Sequence, residues 1–441
     1  MKNKTKKEYH EQNAAPSKNT GRKIFKRYIL PAICAVILTG VGFLGGFITS
    51  RATLDKDIEK IDFILQNYRK YYYDEQCDVV GIFADALLDE YSDYYTQEEY
   101  AAILSSDKGS REGIGAVFEQ RSDGVFVCDV LGNSPAQKVG LTEGERVNAV
   151  KTEQKQEPQT VTDLNGFIDS VKSANAYEDI TLYLVNGDNE RTITLQKQAY
   201  TQTFVKYYDE SGEYGFSDVS GKMEFLRTGD NKKYPLDNAD TAVISYYAFS
   251  GTEGGLNGSV GQMLAAMEKF KSDGKRNIII DLRGNGGGFL DIMQEVSAHF
   301  VAGKNGEKPI VVTVRDKFGN EQNYRSGKIK YNDYGFKNVV FLADGNTASA
   351  SEALIGAALD YDNSGVVKVV VSGGKTYGKG IMQTTFTRIS GDAIKLTTAK
   401  LFWPQSNRCI HGAGISPETD ERVYAESSVG SAFYDGLEFC K

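Results

Sequence analysis

Short runs of Val and Ile alternate with helical patterns after residue 240, and this alternation constrains the fold more than any other feature. The runs NIIIDL, NVVFLAD and VVKVVVSG are apolar at almost every position, and glycine-containing turns follow them. A strand that is apolar on both faces belongs in a sheet covered on both sides, which is usually a parallel sheet between helices. The sequence therefore predicts an α/β core in residues 199–441, with the polar, turn-rich residues 199–235 as a linker or surface insertion.

The totals exclude several classes of function. A chain of 441 residues is long enough for two or three domains, and its formal charge of −8 disfavours nucleic acid as a partner. The three histidines show no metal-binding spacing, which disfavours a histidine-based zinc site. The five cysteines include no CxxC pair, so neither a thiol redox motif nor a structural zinc site is indicated. The sequence neither requires nor excludes a disulfide among Cys77, Cys128, Cys409 and Cys440.

An apolar segment near the amino terminus, residues 29–49, predicts a membrane anchor. About twenty residues without a charge are enough to cross the hydrocarbon core of a bilayer, which is roughly 30 Å thick. Basic residues precede the segment, so the positive-inside rule places the tail, residues 1–28, in the cytoplasm and the chain after residue 50 outside it. A cleaved signal peptide is the alternative, but the run is long for one and no A-x-A cleavage site ends it.

Residues 50–108 are predicted to form a helical cap region. Apolar residues recur there at spacings of three and four, and tyrosines are dense, which suits an amphipathic surface packed on another domain. The same helices are a candidate surface for a homodimer.

Residues 109–198 change to short strands and turns. Asp-Gly and Asn-Gly dipeptides predict two hairpins, and a helix with Asp163 as its N-cap lies between them. The order of these elements and the stretch SPAQKVGLTEGERV resemble a PDZ domain, the module that binds the last residues of a peptide. In such a domain the peptide adds as an edge strand, and backbone N–H groups hold its carboxylate. The resemblance places that carboxylate-binding loop at Gly113, Ile114 and Gly115. A plain small β-domain is the alternative.

The stretch GNTASASEALIGAALD, residues 345–360, places small residues at the junction of a strand and a helix. Ser349 precedes the helix and Glu352 follows three residues later, which is the pattern of a capping box. A capping box accounts for both residues, but it does not explain why alanine stands on each side of the serine. Small neighbours leave a hydroxyl accessible, and the N–H groups of a helix N-terminus can stabilise an oxyanion. Ser349 is therefore a candidate nucleophile.

A serine nucleophile needs a base, and the sequence offers lysine rather than histidine. The stretch GGKTYGKGIMQ, residues 373–383, places Lys375 and Lys379 among four glycines after a strand. A lysine ionises near pH 10.4 in water, so it acts as a base near neutral pH only when it is desolvated or close to positive charge. Glycines let the backbone enclose Lys379, and Gln383 can orient the amine without adding charge. A phosphate-binding loop is excluded because its pattern would need glycine at Val369.

A glycine turn follows the strand in IIIDLRGNGGGFLD, residues 278–291. A dinucleotide-binding fingerprint would need a further glycine at Phe289, which weakens that alternative. Only glycine lets a backbone approach an anion so closely, so the turn is a candidate anion-binding element. If the turn faces Ser349, its N–H groups supply an oxyanion hole.

The motifs DLRGNGGG, NTASASE and TYGKGIMQ, in this order after a PDZ-like domain, resemble the carboxyl-terminal processing (tail-specific) serine peptidases, and the likeness covers most of the chain. It implies a multidomain α/β fold with an N-terminal membrane helix, a helical cap, a PDZ-like β-domain and a crotonase/ClpP-like α/β peptidase core. It also implies a Ser-Lys catalytic pair assisted by glutamine, which falls motif by motif on Ser349, Lys379 and Gln383. The implied oxyanion hole comes from the Ala350 N–H and from the glycine turn at Gly287.

The resemblance predicts a single-pass cell-membrane serine endopeptidase whose catalytic domain is extracytoplasmic. It would recognise the free carboxyl-terminal tails of proteins or peptides and cleave them through an acyl-enzyme, with no metal and no cofactor. One alternative is a membrane-tethered PDZ scaffold without catalysis, against which the intact set Ser349, Lys379 and Gln383 argues. The other is an acyl-CoA enzyme, since crotonase-like folds share such layouts, but the predicted extracytoplasmic placement argues against it. The glycine turn departs from the family, because Gly286 stands where a proline is usual.

Overall fold

The computed structural model describes residues 56–71, 79–108, 110–220, 222–252, 254–304, 306–427 and 432–441. The predicted tail and anchor, residues 1–28 and 29–49, lie outside these ranges, as does Cys77. No helix within the described ranges is both long enough and apolar enough to cross a bilayer. The cysteines that the ranges include, Cys128, Cys409 and Cys440, are free thiols.

The chain divides into two units, residues 1–82 and 83–441. Helix α1 (Lys56–Tyr71) belongs to the first, and helix α2 (Val79–Leu87) crosses the boundary. Strand β1 (Asp93–Tyr95) and helix α3 (Gln97–Asp107) follow in the second unit. The predicted helical region is thus interrupted by a strand, because a strand of three residues carries no periodic signal that apolar spacing could reveal.

The predicted PDZ-like region folds as a small β-domain. Its elements are β2 (Ser110–Gly113), β3 (Ala116–Arg121), β4 (Gly124–Val130), α4 (Pro135–Lys138), β5 (Arg146–Thr152), β6 (Lys155–Thr160), α5 (Leu164–Ser173), β7 (Asp179–Asn186), β8 (Asn189–Gln196) and β9 (Gln198–Thr201). The sheet has the order β3-β4-β5-β7-β8, with β6 paired to β5, while β2 and β9 pair with each other. Asp163 caps α5 as predicted, accepting the Gly166 N–H at 2.8 Å.

The core is an eight-stranded sheet with helices on both faces. Its elements are β10 (Val205–Asp209), β11 (Gly212–Val219), β12 (Lys222–Gly229), β13 (Thr241–Tyr246), α6 (Ser259–Ser272), β14 (Asn277–Asp281), α7 (Leu290–Ser297), β17 (Asn338–Ala343), α8 (Ala350–Tyr361), β18 (Val367–Val371), β21 (Val423–Ala425) and α9 (Ala432–Glu438). The strand order is β12-β11-β10-β13-β14-β17-β18-β21, and the strands from β13 to β21 run parallel. Alternate side chains enter two apolar clusters: Ile278 and Ile280 pack with α6 to α8, and Ile279 packs with α9.

The segment interpreted as a polar linker, residues 199–235, instead contributes strands to this sheet. Strand β10 lies between β11 and β13 and buries Tyr207 and Tyr208 completely. Tyrosine favours strands, but its hydroxyl and the charged residues around it lower the apparent hydropathy of the segment. The linker interpretation was therefore wrong for the part that forms β10 to β12.

A second sheet lies beside the core sheet in the same unit. It is formed by β15 (Ile310–Asp316), β16 (Glu321–Arg325), β19 (Ile381–Thr387) and β20 (Ala393–Phe402), in the order β1-β20-β15-β16 with β19 paired to β20. Two short 3₁₀ helices, Gly255–Asn257 and Tyr331–Asp333, complete the described elements. The pairing of β1 with β20 attaches the segment before the β-domain to the sheet that carries Gln383.

Three motif-bearing loops meet at one edge of the core sheet, because the carboxyl ends of parallel strands point to the same side. Strand β14 leads into the glycine turn 284–288, β17 into the residues before Ser349, and β18 into the loop that holds Lys379. Hydrogen bonds join these loops directly. The Ala348 N–H donates to Asn285 O at 3.1 Å, and the Tyr377 N–H donates to Thr347 O at 3.0 Å.

Candidate active site

The three hydroxyls of the TASAS stretch differ in their surroundings. Thr347 and Ser351 are fully buried, and their hydroxyls donate to Leu282 O at 2.9 Å and to Asn285 O at 3.0 Å. Ser349 is half-buried and lines a cavity of about 280 Å³. Of the three, Ser349 is thus the hydroxyl that a substrate could reach.

Ser349 has a strained backbone. Its φ of 56° and ψ of −115° are unusual for a residue with a side chain, and they make Ser349 the N-cap of α8. Such a conformation costs on the order of 1–3 kcal/mol and persists only where the surrounding contacts enforce it. The predicted capping box is present, with the Ser349 N–H donating to Glu352 Oε2 at 2.9 Å. A sharp turn between a strand and a helix is also what exposes the nucleophilic serine of α/β-hydrolases.

The glycine turn packs against the Ser349 turn so closely that a side chain would not fit. A Cβ atom on Gly287 would lie 2.8 Å from each of Ala348 O, Ala350 N and Ser349 Cβ, and the φ of Gly287 is 99°. Asn285 fixes the turn from beneath: its side-chain Nδ2 donates to Tyr246 O at 2.7 Å. The glycines of this turn are visible in the sequence, whereas the role of Asn285, which is fully buried and joins β13 to the turn, is not.

The donors available to an oxyanion differ in part from those predicted. The Ala350 N–H has no acceptor among the described residues, as expected at the first position of a helix. The Gly287 N–H instead donates to Asn285 Oδ1 at 2.9 Å, so it is not a free donor in this structure. The next N–H along the turn, that of Gly288, has no acceptor in the described part of the chain, and Gly288 lines the Ser349 cavity. Gly288 therefore fits the second donor position better than Gly287.

Lys379 is half-buried and has no ion-pair or hydrogen-bond partner for its Nζ within the described ranges. Burial lowers the pKa of Lys379, the Lys395 ammonium lowers it further, and the Asp89 carboxylate acts in the opposite direction. A lysine in such surroundings is easier to deprotonate than one in water. Its Nζ lies 5.1 Å from the centroid of the Tyr91 ring and makes no hydrogen bond to Ser349 in this conformation.

Glu352 connects the serine turn to the lysine loop. Besides the Ser349 N–H, its carboxylate accepts the Thr376 hydroxyl at 2.5 Å and the N–H groups of Gly378 and Lys379 at 2.9 Å each. The side chain is fully buried, so burial raises the pKa of Glu352, while these hydrogen bonds act to lower it. The sequence predicts Glu352 only as a capping residue, because its contact with residues 376–379 leaves no local pattern.

Gln383 shares the cavity with Ser349. It stands on β19 at a register shift between Met382 and Gln383, and its side-chain Nε2 is buried without a hydrogen-bond partner among the described residues. The rest of the lining is one carboxylate, Asp291, and the side chains of Phe289, Leu290, Tyr324, Ile381, Met382 and Leu401. A second cavity of about 690 Å³, with α3 and β1 along one side, also includes Gly288, Phe289 and Gln383. The structure thus brings Ser349 and Gln383 to one cavity, with Lys379 on the adjoining loop.

The predicted carboxylate-binding loop lies between β2 and β3. Gly115 has a φ of 74°, and a Cβ there would lie 2.0 Å from Ser134 Cβ, so glycine is required. The Ile114 carbonyl accepts the Ala136 N–H at 2.8 Å, which fixes the loop on α4. Strand β3 ends the sheet, and no described strand pairs with its outer edge. An edge beside a fixed loop is what addition of a peptide strand requires.

Comparison with known proteins gives the following similarities. Residues 240–420, which include Ser349, Lys379 and Gln383, match the family model of peptidase family S41. A protein named "Probable CtpA-like serine protease" from Staphylococcus saprophyticus is 26% identical over 434 residues, covering 94% of this chain and 78% of the relative. Its counterpart of the same name from Staphylococcus epidermidis is 26% identical over 423 residues, with 92% and 75% covered.

Two solved structures are similar at lower identity. The photosystem II D1 C-terminal processing protease is 19% identical with a TM-score of 0.46, covering 82% of this chain and 86% of that one. The PDZ domain of a carboxy-terminal protease from Vibrio cholerae, solved with a peptide, is 23% identical with a TM-score of 0.19. It covers 21% of this chain and 97% of that chain.

Proposed function

We propose that this chain, which belongs to peptidase family S41 and is a serine-type peptidase, cleaves the carboxyl-terminal tails of proteins with Ser349 as nucleophile and Lys379 as base. The observation that carries the proposal is the placement of Ser349. It stands in a strained turn at a helix N-terminus, lines a cavity and adjoins the Ala350 N–H, which has no acceptor among the residues that the structure describes. Lys379, which is half-buried on the adjoining loop and whose Nζ has no hydrogen-bond or ion-pair partner in the described part of the chain, fits the role of the base.

The mechanism begins with neutral Lys379. Its side chain turns from Tyr91 towards Ser349 and accepts the hydroxyl proton, and Ser349 Oγ attacks the carbonyl carbon of the scissile bond. The N–H groups of Ala350 and Gly288 donate to the oxyanion that forms. When the C–N bond breaks, the Lys379 ammonium returns the proton to the leaving amine. Water then attacks the acyl ester, with Lys379 again accepting a proton. As the ester C–O bond breaks, Lys379 returns this proton to Ser349 Oγ, and the new carboxyl end is released.

Gln383 orients Lys379 in this mechanism. Its buried Nε2 and the carbonyl oxygen of the same amide can contact an amine without adding a charge that would change the pKa of Lys379. The Nε2 of Gln383, which has no partner among the described residues, supports this role. A buried donor without a partner destabilises the fold, so a glutamine that served only the fold would be expected to have a partner.

The PDZ-like domain supplies substrate in this proposal. A free carboxyl-terminal tail adds to the outer edge of β3, and the loop Gly113, Ile114 and Gly115 binds its carboxylate. The apolar side chains of the cavity beside Ser349, which Asp291 also lines, then accept an apolar side chain next to the scissile bond. The anchor predicted at residues 29–49 would hold the enzyme at the cell membrane, with this domain and the catalytic residues on the extracytoplasmic side.

The test uses the full chain in mild detergent and an unfolded reporter with an apolar free carboxyl end. Ser349→Ala and Lys379→Ala are expected to abolish cleavage, whereas Lys375→Ala, on the same loop but exposed, should retain it. A reporter with a carboxamide end should be cleaved poorly, because the loop at Gly113 then has no carboxylate to bind. Tight binding of the free tail without cleavage by the wild type would instead support the scaffold alternative.

A further inference from the structure

Tyr91 is an aromatic contact of Lys379 that the mechanism above does not use. The ring centroid lies 5.1 Å from Lys379 Nζ, which is within the range of a cation–π interaction. Tyr91 belongs to the segment between α2 and β1, far from Lys379 in the sequence, so no motif marks it. Lys379 has no salt bridge to a carboxylate among the described residues, and the Tyr91 ring is a direct stabilising contact of its ammonium group.

The ring of Tyr91 is held in place by residues from two loops of the active site. Tyr377 packs edge-on at 6.5 Å between ring centroids, and His411 packs edge-on at 6.3 Å. Tyr377 stands two residues before Lys379, and His411 belongs to the loop whose Gly412 N–H donates to Gly378 O at 2.9 Å. Both neighbours are therefore tied to the backbone that carries Lys379.

The segment that carries Tyr91 is also anchored. Strand β1 pairs with β20, with Asp93 opposite Lys395, and the Thr397 N–H donates to Ser92 Oγ at 2.9 Å. Strand β20 in turn pairs with β19, on which Gln383 lies. Tyr91 thus precedes β1 and Gln383 lies on β19, two strands that both pair with β20, and Lys379 lies on the loop that leads into β19.

We propose that Tyr91 is a positioning residue for Lys379: its ring face holds the ammonium group away from Ser349 and sets the pH at which Lys379 becomes available as a base. This inference rests on the proposed role of Lys379. The electron-rich face of the ring stabilises the cation and does not stabilise the neutral amine. Loss of the proton therefore weakens the contact and frees the side chain to turn towards Ser349.

Other charged and titratable groups surround Lys379 and act beside Tyr91. Asp89 on the same segment favours the ammonium, and Lys395 on β20 opposes it. Glu90 next to Tyr91, the rings of Tyr377 and His411, and the Glu352 carboxylate that accepts the Lys379 N–H are further such groups. Charged side chains that share a cavity with Tyr91 and Asp89 are those of Arg315, Asp316, Lys317 and Lys400. Tyr91→Leu removes both the ring and the Tyr91 hydroxyl, which interacts with Tyr377 and Glu90. Tyr91→Phe removes the hydroxyl alone, so the difference between the two variants isolates the contribution of the ring.

The experiment compares Tyr91→Leu with Tyr91→Phe in the full chain. Tyr91→Leu keeps apolar volume but removes the π face, so the acidic limb of kcat/KM against pH should move down by about 0.4 to 1.5 pH units. Tyr91→Phe keeps the face and should leave the limb where it is in the wild type. Tyr91→Met serves as the second non-aromatic variant if Tyr91→Leu does not fold. An unmoved limb in Tyr91→Leu, or equal shifts in Leu and Phe, would overturn the proposal.

A second readout separates this inference from the proposed function. The rate at which acetic anhydride modifies Lys379, measured against pH by mass spectrometry of the Lys379 peptide, reports deprotonation of the amine without any cleavage. The same downward shift in Tyr91→Leu is expected there. A shift in acetylation without peptidase activity in the wild type would sustain the role of Tyr91 and refute the proposed function. No shift in acetylation would refute the role of Tyr91 whatever the activity.

Discussion

Ser349 and Lys379 donate their backbone N–H groups to the same atom, Oε2 of Glu352, at 2.9 Å each. The other oxygen of this carboxylate accepts the Thr376 hydroxyl and the Gly378 N–H. One buried side chain on the first turn of α8 therefore fixes the backbone on both sides of the proposed catalytic pair. Four donors directed at two oxygens form a set that only an ionised carboxylate can satisfy fully.

Glu352→Gln should damage both stability and activity. The amide replaces one acceptor oxygen by an NH₂ group, which faces N–H or O–H donors and leaves them unpaired in a buried site. We expect the free energy of unfolding to fall by about 1–3 kcal/mol. Displacement of Ser349 relative to Lys379 should lower kcat/KM on the order of 100-fold. Urea unfolding and steady-state kinetics measure the two effects.

The control for this substitution is Glu224→Gln. Glu224 is exposed on β12 and should tolerate the change within about 0.5 kcal/mol and without loss of activity. If Glu352→Gln behaved like Glu224→Gln, the carboxylate would not be what holds the two loops together.

Gly287→Ala tests the close approach of the glycine turn to Ser349. The new Cβ would lie 2.8 Å from three atoms of the Ser349 turn, and alanine would have to adopt a φ of 99°. Backbone strain and overpacking together should lower the free energy of unfolding by about 2–4 kcal/mol. We expect kcat/KM to fall on the order of 100-fold as Ser349 and the Ala350 N–H are displaced.

Gly286→Ala is the matched control in the same turn. Gly286 is exposed, a Cβ there would meet nothing within 4 Å, and its φ is not positive. The free energy of unfolding should therefore change by no more than about 0.5 kcal/mol. Equal damage from both alanines would mean that the turn depends on glycine for flexibility rather than for space.

The parallel core could be predicted from the sequence because its strands are apolar on both faces. The runs that form β14, β17 and β18 predict a parallel sheet covered by helices on both faces. In such a sheet the loops at the carboxyl ends of the strands lie at the same edge, so their proximity follows from the architecture. The choice of Ser349 over Ser351 came from the family resemblance. The structure adds a physical reason, since the hydroxyl of Ser351 is buried and donates to Asn285 O.

The contacts between distant segments could not be predicted. Strand β10 could not be recognised in the sequence because its buried side chains include Tyr207 and Tyr208 among charged residues, and tyrosine contributes little to the hydropathy of a segment. The second role of Glu352 and the approach of Tyr91 to Lys379 depend on tertiary packing, which local periodicity does not encode. The hydrogen bond from the Gly287 N–H to Asn285 Oδ1 likewise depends on the geometry of the turn, which the spacing of glycines in the sequence does not determine.

Gln383→Leu should separate activity from stability. The buried Nε2 of Gln383 has no partner in the described part of the chain, so an apolar side chain removes an unpaired donor. We expect the free energy of unfolding to stay constant or to rise by about 1 kcal/mol, while kcat/KM falls because Lys379 loses its orienting amide. Thermal or urea unfolding beside kinetics tests both expectations.

Gln262→Leu provides the contrast with a structural glutamine. Gln262 is fully buried, and its amide accepts the N–H groups of Phe204 and Val205 and donates to the carbonyls of Gln202 and Leu256. Its loss should lower the free energy of unfolding by about 3 kcal/mol or more. A comparable loss in Gln383→Leu would show that Gln383 serves the fold rather than the chemistry.

The lowered pKa of Lys379 predicts a pH dependence of both activity and stability. Only the neutral amine acts as a base, so kcat/KM should rise with pH through the pKa of Lys379 in the folded protein and then level off. Because the unfolded chain binds this proton more tightly than the folded one, the ammonium destabilises the fold below the folded pKa. That cost is relieved as the pH rises towards the unfolded value, near 10.4.

Lys379→Met should therefore be inactive but more stable than the wild type at pH 7. The difference in the free energy of unfolding between the two proteins should shrink as the pH rises above the pKa of Lys379 in the folded protein. Lys375→Met is the control on the same loop. Lys375 is exposed, so its replacement should change the free energy of unfolding by no more than about 0.5 kcal/mol at any pH. Urea unfolding of the three proteins between pH 6 and pH 10 decides the matter. A constant difference between Lys379→Met and the wild type across this range would mean that Lys379 is protonated equally in both states, which would remove the physical basis for its role as the base.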